Sequence, residues 1–150
     1  MRMRIAVVSD EPYPVHSVVL AELARRGHTA LPFGSVRSGQ EEPFALAAEE
    51  AARAIADGHA DEGVFLCWTG TGVSIAANKV AGVRAALCAD PVTAAGARIW
   101  NHANVLCLSN RTLSGDVAKE ILTAWFDTEP GQQGADGVAA LIDVDTRNRG

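Results

Sequence analysis

Short apolar runs alternate with amphipathic stretches along the whole chain. The β-branched run in 4–10 has the length and flanks of a buried strand. Pro12 and Pro14 then interrupt it, and Val18, Val19, Leu20, Leu23 and Ala24 recur at helical spacing within 15–26, with Gly27 as the stop signal. Residues 28–33 predict a second strand, placed at a sheet edge by Pro32 because proline cannot donate to a ladder. A polar loop over 34–42 leads to a helix over 43–57, closed by Gly58. The remaining strands are predicted at 63–67, 84–88 and 104–108. Between and after them lie a short helix at 72–79, a helix at 90–100 opened by the Asp90-Pro91 cap pair, and a helix at 114–126 capped by Ser114.

Five short strands alternating with helices predict an α/β three-layer sandwich around a five-stranded parallel sheet. Residues 1–128 form one domain on this reading. Residues 129–150 form a C-terminal tail, glycine- and glutamine-rich at first, whose apolar patch 138–144 is expected to dock on a neighbouring element or a partner subunit.

Composition narrows the function. Apolar residues make up 48% of the 150 positions and charged residues 21%, which is enough to bury a core. The net charge of −5 and the lack of a basic block argue against nucleic acid as a partner. No apolar run is long enough to span a bilayer, and the opening one stops at Asp10, too soon for a signal peptide, so a cytoplasmic protein without membrane contact is expected. The three cysteines, Cys67, Cys88 and Cys107, match no disulfide framework or zinc spacing, and Cys88 and Cys107 read as core.

Ligands of open parallel sheets bind beyond the carboxyl ends of the strands. Asp10 and Glu11, the stretch from Cys67 to Ser74, Asp90, and Asn110 with Arg111 fall there. Cys67 closes a strand and faces the backbone amides that open the next helix, an environment favouring a thiolate or developing substrate charge. Its glycines permit close ligand approach, and neither a nucleotide P-loop nor a G-x-G-x-x-G fingerprint is present. From chemistry alone Cys67 is either a proton-transfer base or a packed strand-end residue.

The run CWTGTGVSIAANKVAGVRAALC, with IAVVSD at the start and NHANVL before the fifth strand, resembles the ribose-5-phosphate isomerase B and galactose-6-phosphate isomerase family. That resemblance implies a Rossmann-like domain, dimers or tetramers with active sites shared across an interface, and aldose–ketose isomerisation through a cis-enediolate without metal or cofactor. It makes Cys67 the proton shuttle, with Thr69, Gly70, Thr71, Gly72 and Ser74 lining an anion-stabilising loop. Asp10 would contact sugar hydroxyls, and Asn101 the enediolate from the partner subunit.

Departures from the family pattern bear on the substrate. Glu11 stands where the pattern has a phosphate-holding histidine, and Trp68 where it has a glycine. Trp100 stands where it has the ring-opening histidine, leaving His102 as the nearby imidazole and candidate replacement acid. A gapless placement puts Gln133 and Gly137 at the two arginines of the phosphate clamp. Fixed cationic donors recognise phosphate, so these changes point to a phosphate-poor sugar site, with Glu11 in acid–base or hydroxyl-binding work. Trp68 and Trp100 would narrow the pocket or stack on a sugar face, and Arg111 would face it from strand five. The alternatives are an ordinary ribose-5-phosphate/ribulose-5-phosphate isomerase and a catalytically inactive metabolite-binding homologue.

Overall fold

The computed structural model describes residues 1–149. Its parallel sheet contains β1 (Arg4–Ser9), β2 (Thr29–Phe33), β3 (Glu62–Cys67), β4 (Ala85–Leu87) and β5 (Val105–Ser109), in the order β2-β1-β3-β5-β4. Pro32 lies on β2, an edge strand that pairs only with β1, opposite Val7. The side-chain alternation of a strand divides the core in two. Ala6, Val8, Phe65, Cys67, Val105 and Cys107 face α3 (Phe44–Ala56) and α4 (Thr71–Ala77). Ile5, Val7, Val64, Leu66, Leu106 and Leu108 face α1 (Val15–Arg25), α5 (Pro91–Asn101) and α6 (Gly115–Asp127). This is the three-layer α/β sandwich expected.

Caps set the helix starts on the side where the site forms. The Asp90 carboxylate accepts from the Thr93 amide at 2.7 Å and from its hydroxyl at 2.8 Å, with Pro91 in the first turn. Ser114 accepts from the Val117 amide at 3.1 Å. These bonds satisfy first-turn donors that have no partner within a helix.

Two segments differ from the sequence expectation. Residues expected to be loop form α2 (Gly34–Ser38), because Gly34, at φ 55°, tucks its backbone against Ser9 and continues the line of the sheet. A side chain at Gly34 would collide with the Ser9 carbonyl, so glycine is required there. The tail forms a 3-10 turn (Gln132–Gly134) and α7 (Ala135–Arg147), with Val138 buried and Leu141, Ile142 and Val144 exposed. Gly134 lies against the backbone of Ile99 and Trp100, which seats the tail on the C-terminal end of α5 in its own chain. No described helix is long and apolar enough to cross a membrane.

Candidate active site

Strand order fixes where a ligand goes. From β1 the chain moves outward to β2 and then crosses back to β3 on the other side, so the sheet has its switch point between β1 and β3. Ser9 pairs with Leu66 across that junction, which brings the next residues, Asp10 and Cys67, to the same level at the carboxyl edge.

Cys67 is 5% exposed, on the α3–α4 face. Its carbonyl accepts from the Asn110 amide at 2.8 Å, locking the end of β3 to that of β5. The chain then turns through Trp68 and Thr69 into Gly70, which holds φ 78° before α4. A Cβ at Gly70 would meet Leu87 and come within 3.0 Å of the Leu108 backbone; one at Gly72 would meet the Phe44 ring at 2.8 Å. Gly70 therefore presses the turn onto the sheet end, and Gly72 lets it lie against the start of α3. The Thr69 and Thr71 hydroxyls bond each other at 2.7 Å on the exposed side, and Ser74 is half-buried.

Asp10 is half-buried, and its buried Oδ1 has no hydrogen-bond partner among the described residues. Burial pushes its carboxyl above the usual range, with Glu11 and Glu41 adding to the rise, while backbone amides of Asp10 and Glu11 oppose it. Glu11 accepts from the Tyr13 hydroxyl at 2.8 Å, and the Tyr13 ring lies 5.7 Å from that of Trp68 at 30°. Trp68 is 51% exposed, so it forms a wall beside Cys67 rather than part of the core. On the opposite side, exposed Arg111 lines a cavity of about 240 Å³ with Thr69, Cys88, Ser109 and Thr112. The rim is thus acidic toward β1 and cationic beyond β5.

Asp10, Glu11, Cys67, Trp68, Thr69, Gly70, Thr71, Gly72, Ser74 and Arg111 come together at this edge. Trp100, Asn101 and His102 do not, because α5 runs back along the sheet and delivers its C-terminus to the opposite end. There His102 adopts φ 46° as the cap of α5 and its Nε2 meets the Gly131 carbonyl at 2.8 Å. Asn101 lines a cavity of about 680 Å³ with Arg84, Leu141 and Ile142. That cavity is away from Cys67, and size alone is a poor guide to the chemistry here.

Sequence reasoning missed Tyr13 and His16. His16 is 7% exposed and its Nε2 lies 2.9 Å from Asn110 Oδ1. The available signal was an aromatic and an imidazole within seven residues of a strand end, in SDEPYPVH. Cys88 and Cys107 are buried, at 1% and 0% exposure; burial pushes the Cys88 thiol up to about 11 and the Cys107 thiol higher still, which suits packing.

The sequence profile described as Ribose/Galactose Isomerase matches residues 5–140. Ribose-5-phosphate isomerase B of Escherichia coli (strain K12) is 35% identical over 130 residues, covering 86% of this chain and 87% of that one. D-erythrulose-4-phosphate isomerase of Pectobacterium atrosepticum is 40% identical over 128 residues, covering 85% and 84%. Among solved structures, ribose-5-phosphate isomerase B of Clostridium thermocellum superposes with a TM-score of 0.89 at 32% identity, covering 97% of this chain and 99% of that one. The fold, the cysteine–glycine turn at the switch point and these likenesses converge: the chain belongs to the ribose/galactose isomerase family and is an isomerase of a sugar or sugar phosphate.

Proposed function

We propose that the protein interconverts an aldose and a ketose, most readily as a short-chain sugar phosphate of the ribose 5-phosphate type, with Cys67 as the base. The thiolate takes the proton from the carbon beside the carbonyl, and the electron pair moves onto the carbonyl oxygen to give an enediolate. The proton of the adjacent hydroxyl passes to the oxyanion, and the thiol returns its proton to the former carbonyl carbon, so that the carbonyl stands one carbon along and the thiolate is restored. Backbone amides of the 69–74 turn and the Thr69–Thr71 hydroxyl pair supply donors for the oxygens, which is where fixed dipoles lower such a barrier most. The observation that carries this reading is that Asp10 and Cys67 directly follow the Ser9–Leu66 pair at the β1–β3 switch point, next to the Gly70 turn.

Charge orients the substrate. Asp10 and Glu11 suit hydroxyl groups and repel an anion, so the phosphate lies toward Arg111. The relatives named for sugar phosphates favour this over the phosphate-free substrate suggested by Glu11, Gln133 and Gly137. A second copy of the chain brings Asn101 to the open side of the site, as the family resemblance implies, with His102 next to it in sequence, and Leu141, Ile142 and Val144 offer that copy an apolar face.

A second reading is a shorter substrate. Trp68 stacked on Tyr13 takes space beside Cys67, and the relative named for D-erythrulose 4-phosphate is 40% identical. Initial rates on ribose 5-phosphate, erythrulose 4-phosphate, free ribose and free erythrulose decide between them. Either phosphate ester is expected to exceed its free sugar at least about tenfold in kcat/KM, the scale of one good charged contact. Equal or better turnover of a free sugar would overturn the phosphate assignment.

A further inference from the structure

The loop carrying Asp10 and Tyr13 is tied to the end of β5 by a chain of hydrogen bonds with only one consistent direction. It begins at the Tyr13 backbone N–H, which can only donate and lies 3.4 Å from His16 Nδ1. It ends at the Glu11 carbonyl, which can only accept and receives the Ser9 hydroxyl at 2.9 Å. Since Ser9 spends its proton there, it accepts from Asn110 Nδ2 at 3.2 Å. That turns Asn110 Oδ1 toward His16 Nε2, so Nε2 carries the proton and Nδ1 is the acceptor. His16 and Asn110 are both buried, and the Asn110 amide also holds the Cys67 carbonyl. One imidazole thus joins the Asp10–Tyr13 loop to the strand end behind the cysteine.

We propose that His16, in its neutral Nε2–H form, is a positioning residue that acts through Asn110 and Tyr13 to hold the active-site loop closed, and that its protonation releases the loop and sets the acid limit of activity. A proton added at Nδ1 would face the Tyr13 N–H, donor against donor. The Tyr13 ring, 5.7 Å from Trp68 and 6.1 Å from His16, would lose its seat, and Glu11 would lose its phenol anchor.

The groups around the ring fit this role. Asp10 acts on it with a negative charge that favours protonation, and Glu11 and Tyr13 share its loop. From the β5–α6 side the ring meets Asn110, which is uncharged; Leu113 and Gly115 line a neighbouring cleft with Tyr13 and Val15 and carry no charge, and Arg111 and Asp116, the charged residues of that segment, are exposed. Burial holds the imidazole below its ordinary value of 6.5, against the opposing pull of Asn110 and Asp10.

Tyr13 is the only tyrosine, so a sample labelled with ¹⁵N-tyrosine gives a single backbone amide signal. In wild type the Tyr13 amide and the His16 ring should titrate with one midpoint below 6.5, the ring showing the Nε2–H tautomer above it. Asn110→Asp places a carboxylate on Nε2–H and should raise that midpoint by about one to three units. The Tyr13 amide and the acid limb of kcat should move with it, a shift that a purely structural role would not produce. An Nδ1–H tautomer, or a Tyr13 amide titrating apart from the ring, overturns the proposal in wild type alone. So does a raised ring midpoint in Asn110→Asp with an unmoved acid limb. The kcat arm rests on the isomerase reading; the amide arm does not, so failure of turnover is separable from failure of the latch.

Discussion

Gly70 shows what a single residue has to satisfy at this site. It holds φ 78° while its α-carbon is pressed between Leu87 and the Leu108 backbone. Gly70→Ala combines left-handed backbone strain with a contact that backbone cannot yield, so a loss of about 1–3 kcal/mol in chemical denaturation is expected, with kcat/KM falling alongside. His16 gives a pH signature at the same scale. Its folded-state value lies below the unfolded one, so the unfolded chain takes up the proton first. The contribution is complete above about 6.5 and is lost as pH falls from there through the folded value. Unfolding free energies of wild type and His16→Gln, compared across pH, should differ most above 6.5 and converge below it. Cys67 and its glycine turn were legible in the sequence because strand, turn and helix start are contiguous there. The latch was not, because His16 and Asn110 are 94 residues apart and only the sheet brings them together.

At the scale of elements, apolar runs and caps carried the reading. The five strands stand where short apolar runs end in Gly, Asp or Asn signals, and α5 begins at the Asp90-Pro91 pair. Asp90→Ala removes an acceptor for the Thr93 amide and should lower the urea midpoint while leaving its slope unchanged. Two helices escaped pattern reading for different reasons. α2 is five residues whose helical state is set by Gly34 docking on Ser9, a tertiary contact. α7 has apolar residues at helical spacing, Val138, Leu141 and Ile142, but the preceding glycines and glutamines mask its start.

Across the whole molecule, the two ends of the sheet do different work. The carboxyl end holds the acidic loop, the cysteine and Arg111. At the amino end, the buried carboxylate of Glu62 pairs with Arg98 at 2.9 Å and accepts from the Trp125 indole at 2.9 Å, while Arg98 also donates to the Ala103 carbonyl. This group ties β3, α5 and α6 together beneath the tail. Glu62→Ala strands a buried guanidinium and should cost about 3–5 kcal/mol, whereas breaking an exposed pair such as Arg37–Glu50 should barely move the transition. Denaturant unfolding of the two variants checks the contrast.

The proposed chemistry is that Cys67 moves a proton at the carbon beside a sugar carbonyl. It is tested most directly by NMR of ribose 5-phosphate and erythrulose 4-phosphate incubated in D₂O with wild type and Cys67→Ala. Wild type should introduce deuterium at that carbon, and the variant should do so about 10²–10⁴-fold more slowly, the usual contribution of a general base. Exchange in Cys67→Ala at the wild-type rate would contradict the account.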